Sequence, residues 1–164
     1  MEAMRNHIFQ NGSFEGVIDR KKVLGAGFSY GSATASLESV MNPEAYRAVI
    51  LWDGWFFIDQ GEGIPFPKEA HDSGLKHKAL FVGSTEFSNY KKLSGYTKSL
   101  IKTGLNGTRS LVLPNSKHEH FTDCPFWLPT TLVEALSGKK EGGYLRSYIK
   151  LRDEMIAFIE STCG

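Results

Sequence analysis

Lys22-Val-Leu-Gly-Ala-Gly-Phe-Ser-Tyr-Gly-Ser-Ala-Thr34 is the stretch that decides the fold. Its opening, Lys22 to Ala26, is short, apolar and bounded by charge and glycine, which predicts a buried parallel strand. Beyond it, Tyr30 to Met41 contains Ala33, Ala35, Leu37, Glu38 and Val40 and meets no proline before Pro43, which predicts a helix of about three turns. The junction, Gly27-Phe28-Ser29-Tyr30-Gly31, fits Gly-x-Ser-x-Gly, a motif that carries meaning when it joins a strand to a helix. Such a turn strains its central residue, and glycines two positions to either side leave room for it and expose the hydroxyl. Ser29 is therefore the candidate nucleophile. The competing reading is a plain glycine-rich turn, in a chain with 17 Gly among 164 residues.

Working outward, Tyr46 to Trp52 predicts a second strand, Lys78 to Gly83 a third and Arg109 to Leu113 a fourth. Ser88 to Thr103 has Tyr90, Leu93, Tyr96, Leu100 and Ile101 at helical spacing and stops near Gly104. Tyr144 to Ser161 sets Leu145, Tyr148, Ile149, Leu151, Ile156, Phe158 and Ile159 mostly on one helical face. Strands alternating with helices give an α/β architecture, a parallel sheet covered on both faces. Two stretches interrupt the alternation. Trp55 to Leu75, with its aromatics and prolines, suits a structured loop or pocket wall, and Gly138 to Gly143 reads as a polar hinge. Residues 1–17 carry no motif and read as a tail or fraying helix ahead of a domain over 18–164.

Composition bounds the function. With 41% hydrophobic and 23% charged residues the chain has the make-up of one globular domain. A formal charge of +1 supplies no global attraction for nucleic acid or anionic membrane. The apolar run at Trp55 to Ile58 is far shorter than the roughly 18 to 20 residues of a membrane-spanning helix. Two cysteines, Cys124 and Cys163, are too few for a disulfide scaffold or a four-cysteine zinc site, so a reducing, cytoplasmic setting is expected and no metal or cofactor is implied. No apolar signal segment opens the chain, and export stays open if the true start lies upstream.

A serine nucleophile needs a general base, normally an imidazole oriented by a buried carboxylate. On an elbow of this kind the chain order is Ser, acid, His, with the later two on loops at strand ends. Asp53 directly follows the second strand, and Glu86, just beyond the third, is its rival. His118 and His120 both follow the fourth, and the pattern alone does not separate them.

Several ordered segments resemble the platelet-activating-factor acetylhydrolases of the plasma and intracellular type II group. Ile18-Asp-Arg-Lys-Lys-Val-Leu-Gly-Ala-Gly-Phe-Ser-Tyr-Gly-Ser-Ala-Thr34 is similar to the family's Ile-Asp-Arg-x-Lys followed by Gly-His-Ser-Phe-Gly-Gly-Ala-Thr. Leu51-Trp-Asp-Gly-Trp-Phe-Phe57 resembles its Leu-Asp-Ala-Trp-Met, and Ala79-Leu-Phe-Val-Gly-Ser84 with Glu86-Phe87 its next strand and loop. Asn115-Ser-Lys-His-Glu-His-Phe-Thr-Asp123 is similar to Gly-Ser-x-His-x-x-Phe-x-Asp. The resemblance implies an α/β-hydrolase fold and a triad of Ser29, Asp53 and His118, favouring Asp53 over Glu86 and His118 over His120. It also implies calcium-independent hydrolysis of short or oxidised sn-2 acyl chains of phospholipids, such as the acetyl group of platelet-activating factor. Trp55 would line the acyl pocket. Phe28 stands where the family has His and Ser32 where it has Gly, two departures that reshape the pocket around the ester.

Only 28 residues precede Ser29, room for one strand where the hydrolase sheet places several. The backbone N–H of Tyr30 would supply one oxyanion donor, and the second, from a loop after an earlier strand, has no source here. The expectation is thus a partial hydrolase sheet, truncated upstream, that retains its triad. Its unpaired edge strand would favour self-association, and its phospholipid substrate would bring peripheral membrane or lipoprotein contact.

Overall fold

The computed structural model describes residues 2–14, 16–56, 72, 74–137 and 143–164. Four strands, β1 (Leu24–Phe28), β2 (Ala48–Trp52), β3 (Lys78–Ser84) and β4 (Arg109–Leu113), form one sheet in chain order. All three pairings are parallel, and Phe28 lies opposite Trp52 and Trp52 opposite Val82. The carboxyl ends of the strands therefore lie along one rim of the sheet, where a parallel α/β fold collects its functional groups.

Period-two alternation splits the core in two. Val49, Leu51, Ala79 and Phe81 point to one face, where they meet Ala33 and Ala35 of α2 (Tyr30–Met41), Leu100 and Phe56. Ala48, Ile50, Leu80, Val82 and Leu113 point to the other and meet Leu151 and Phe158 of the C-terminal helix. The sheet thus carries helices on both faces, as a partial α/β fold requires. Small residues on α2, among them Ser32, Ala35, Ser36 and Ser39, are buried and let that helix lie close on β1.

Several boundaries shift for local reasons. The first strand begins at Leu24 rather than Lys22, because Asp19 accepts a hydrogen bond from Lys21 N and winds Arg20–Lys22 into a 3-10 turn. It runs on to Phe28 because Trp52 offers it a partner. Tyr46 stays out of β2 and packs its ring beneath the Arg5 guanidinium and beside His77. The helix expected over Ser88 to Thr103 is two helices. Ser84 caps α3 (Thr85–Asn89) by accepting from Phe87 N, and extended backbone at Tyr90 separates it from α4 (Lys91–Thr103).

The stretch read as a tail or fraying helix contains α1 (Glu2–Gln10), joined to α2 by an Arg5–Glu38 ion pair. Beyond β4 come α5 (Cys124–Trp127) and α6 (Thr130–Ser137), two short helices with no counterpart in the sequence reading. The last helix, α7, spans Gly143–Cys163. It buries Leu151 and Phe158, but Leu145, Tyr148, Ile149 and Ile156, expected on the same core face, are exposed. Of the aromatic loop, residues 57–71 and 73 lie outside the described residues, as do 138–142 of the hinge. Phe56 and Leu75 belong to the core rather than to a pocket wall.

Candidate active site

Ser29 closes β1 and opens α2 with φ 56 and ψ −121, a conformation that costs a non-glycine residue about 1–3 kcal/mol. The surroundings impose it. Ser29 N–H donates to Trp52 O at 2.9 Å, and Ser29 O accepts from Ser32 N at 3.1 Å and Trp55 N at 3.2 Å. Ser32 is fully buried, its Oγ 2.6 Å from Gly27 O and 2.9 Å from Trp52 O. This departure from the family pattern ties α2 to both strands of the elbow and lies in the core beneath it.

The two elbow glycines are not equivalent. A Cβ on Gly27 would lie 2.1 Å from Gly31 O, so that position admits only glycine. A Cβ on Gly31 would meet nothing within 4 Å among the described residues, so the steric role expected of both falls on Gly27 alone.

Asp53 follows β2 with φ 40 and is 2% exposed. Its N–H continues the sheet to Val82 O at 2.9 Å. Its carboxylate is engaged at both oxygens: Oδ1 accepts from Ser84 N at 2.6 Å, and Oδ2 lies 3.0 Å from His118 Nδ1. With Nδ1 protonated toward the carboxylate, Nε2 keeps the lone pair that a general base needs.

His118 sits in a 3-10 turn (His118–Phe121) after β4, and the loop that carries it is laced to the end of β3. Thr85 N–H reaches Ser116 Oγ at 3.2 Å, Glu86 N–H reaches Ser116 O at 3.2 Å, and His118 N–H reaches Glu86 Oε2 at 3.0 Å. Glu86, the rival acid, thus holds the backbone of His118, while Asp53 meets its ring. His120 is 3% exposed, and among the described residues neither ring nitrogen has a partner. Burial pushes its pKa below the ordinary value of 6.5, with Glu119 opposing. Of the two candidate histidines, the fold brings His118 to the acid.

Phe28 precedes Ser29 and stacks on the His118 ring, centroids 4.4 Å apart, which sets the imidazole beside the elbow. The His118 ring is bonded to Asp53 through Nδ1, and among the described residues no hydrogen bond joins Ser29 Oγ to the imidazole. Tyr30 opens α2, where a helix leaves its first N–H groups without intrahelical acceptors. Its ring packs 5.1 Å from Trp55, which in turn lies 6.1 Å from Phe87. An apolar cavity of about 310 Å³ opens behind Phe28, lined by Trp52, Phe121, Met155 and Ile156. The stacking of Phe87 on the His118 ring, the bond from His118 N–H to Glu86 and the place of Ser32 in the core rather than at the pocket are tertiary contacts with no local sequence signal.

A family model described as platelet-activating factor acetylhydrolase, isoform II, matches residues 2–163. No curated protein matches the chain.

Proposed function

Since the chain belongs to the platelet-activating factor acetylhydrolase isoform II family, a hydrolase of lipid esters, we propose that it cleaves the sn-2 acetyl or short acyl ester of platelet-activating factor and related phospholipids. In this reading Ser29 Oγ attacks the acyl carbonyl carbon while His118 Nε2 takes the hydroxyl proton. Asp53 holds the imidazole through Nδ1 and stabilises the imidazolium. The Tyr30 N–H donates to the oxygen of the tetrahedral intermediate. Collapse expels the lysophospholipid alkoxide, which takes the proton from His118. Water, deprotonated by the same nitrogen, then releases the acyl group and regenerates Ser29. No step calls for calcium.

The observation that carries the proposal is the 3.0 Å pair between His118 Nδ1 and Asp53 Oδ2 at the same sheet rim as a serine with φ 56. Downstream of the histidine turn Phe126, Trp127, Leu128 and Leu132 are exposed apolar side chains close in sequence, suited to resting on the lipid surface from which such a substrate is drawn.

The test is release of acetate from platelet-activating factor in EDTA, compared with release of a long sn-2 acyl chain from phosphatidylcholine. Acetate release that ends with Ser29→Ala supports the reading. Equal rates on both lipids would remove the short-chain assignment, and hydrolysis that survives Ser29→Ala would remove the mechanism.

A further inference from the structure

The Asp53 contact leaves one freedom in the His118 ring. A bond to Nδ1 sets the direction of that edge, but the ring can still swing about the Nδ1···Oδ2 line and carry Nε2 away from the elbow. Contacts on the ring faces are what oppose that swing.

Both faces are covered by flat rings. Phe28 stacks on one at 4.4 Å and 29°, and Phe87 on the other at 4.6 Å and 7°. Each phenyl has aromatic neighbours of its own. Phe28 is backed edge-on by Phe121 at 6.3 Å and ends β1, while Phe87 is 9% exposed, with Trp55 and Tyr90 around it. The two come from different strand ends, one residue before the nucleophile and one residue after Glu86, so the imidazole closes a slot that the sheet rim has already built.

We infer that Phe28 and Phe87 are positioning residues, a two-sided aromatic clamp that fixes the plane of the catalytic imidazole. The inference rests on the assignment of His118 as the base. The clamp acts in two ways. It holds Nε2 to one orientation at the elbow, where a misplacement on the order of 1 Å costs about 10²-fold in rate. It also presents two π faces to the ring, and these attract the imidazolium formed in the transition state more than the neutral ring of the ground state. Both effects fall on kcat. Leucine fills similar space but has neither a flat face nor a quadrupole, so it separates clamping from mere filling.

The experiment combines kinetics with a direct view of the ring. Phe28→Leu and Phe87→Leu are each expected to lower kcat on platelet-activating factor by about tenfold, with KM little changed. Phe87→Tyr restores what Phe87→Leu loses. In carbon-proton spectra of histidine-labelled protein, the His118 ring protons lie upfield in the native chain, under the ring currents of both phenyls. They move toward free-histidine positions in each leucine variant.

Unchanged kcat in both leucine variants, or a loss confined to KM, would overturn the clamp. So would native His118 signals at free-histidine positions, a result that needs neither activity nor a foldable variant. Failure of the base assignment looks different: hydrolysis would survive His118→Ala while the ring signals stayed upfield in the native protein.

Discussion

Gly27→Ala probes the elbow where its geometry is tightest. The new methyl would stand 2.1 Å from Gly31 O, 2.3 Å from Gly31 C and 2.5 Å from Ser32 N, all backbone atoms that cannot rotate away. Ordinary contact begins near 3.4 Å, so the first turn of α2 must retreat by about 1.3 Å from β1. Overpacking of this kind costs about 1–3 kcal/mol. The retreat also pulls Ser32 Oγ from Gly27 O and Trp52 O, and a buried hydroxyl left without a partner costs about 1–3 kcal/mol more. Together these amount to about 4 kcal/mol, a fall in Tm of about 8–16 °C for a chain of this size. Gly31→Ala is the internal control. It meets nothing within 4 Å among the described residues and lies in the first turn of α2, so it should gain at most about 1 kcal/mol of helix propensity. Thermal melts followed by circular dichroism read both. A Gly27→Ala melt within 2 °C of the native chain, or equal damage from both substitutions, would show that the elbow is not packed this tightly at Gly27.

Three further outcomes follow from the same geometry. Ser29→Gly should abolish ester hydrolysis yet stabilise the chain by about 1–2 kcal/mol, because glycine adopts φ 56 and ψ −121 without strain; a melt at or below the native Tm would contradict that. Asp53→Asn keeps the shape of the acid but loses its charge against the imidazolium, and should lower kcat by about 10³–10⁴ while acetate release remains measurable. His77 and His120 are both buried, and desolvation holds their pKa values below 6.5 in the folded chain. Falling pH therefore protonates the unfolded chain first. The stability these residues contribute is fully present above about pH 6.5 and is lost as pH drops from there toward their folded values. Urea denaturation between pH 7.5 and 5 should show this decline, and replacing His120 with Phe should make it shallower.

The elbow was legible because every determinant of it is local. Lys22 to Met41 contains its own strand, turn and helix signals, and the structure departs from them only at the ends, where the Asp19 cap and pairing with Trp52 move β1 by two residues. The candidate acid and base were legible as sets rather than as individuals. Asp53 and Glu86 both follow strands, and His118 and His120 are two residues apart, so only the 3-10 turn decides which imidazole reaches the rim and which is buried. That turn depends on Ser116 and Glu86 bonding across 30 or so residues of chain, and such contacts leave no periodic trace. The break at Tyr90 was hidden because Leu93, Tyr96 and Leu100 continue the apolar period toward it. On α7 the apolar stripe is broader than the buried face, so periodicity named Leu145, Tyr148, Ile149 and Ile156 as core, whereas Leu151 and Phe158 are buried and Ile159 packs partly against them. The aromatic clamp is tertiary throughout, since Phe28, Phe87 and His118 come from three different strand ends.

If Ser29 is a nucleophile activated by the His118–Asp53 pair, it reacts with an acylating or phosphonylating electrophile. Treating the chain with a fluorophosphonate and locating the adduct by intact mass and peptide mapping tests it most directly. A single adduct on Ser29 is expected, one that disappears in Ser29→Ala and is strongly slowed in His118→Ala. A soluble, folded chain that takes no label, or one labelled at another residue, would contradict it.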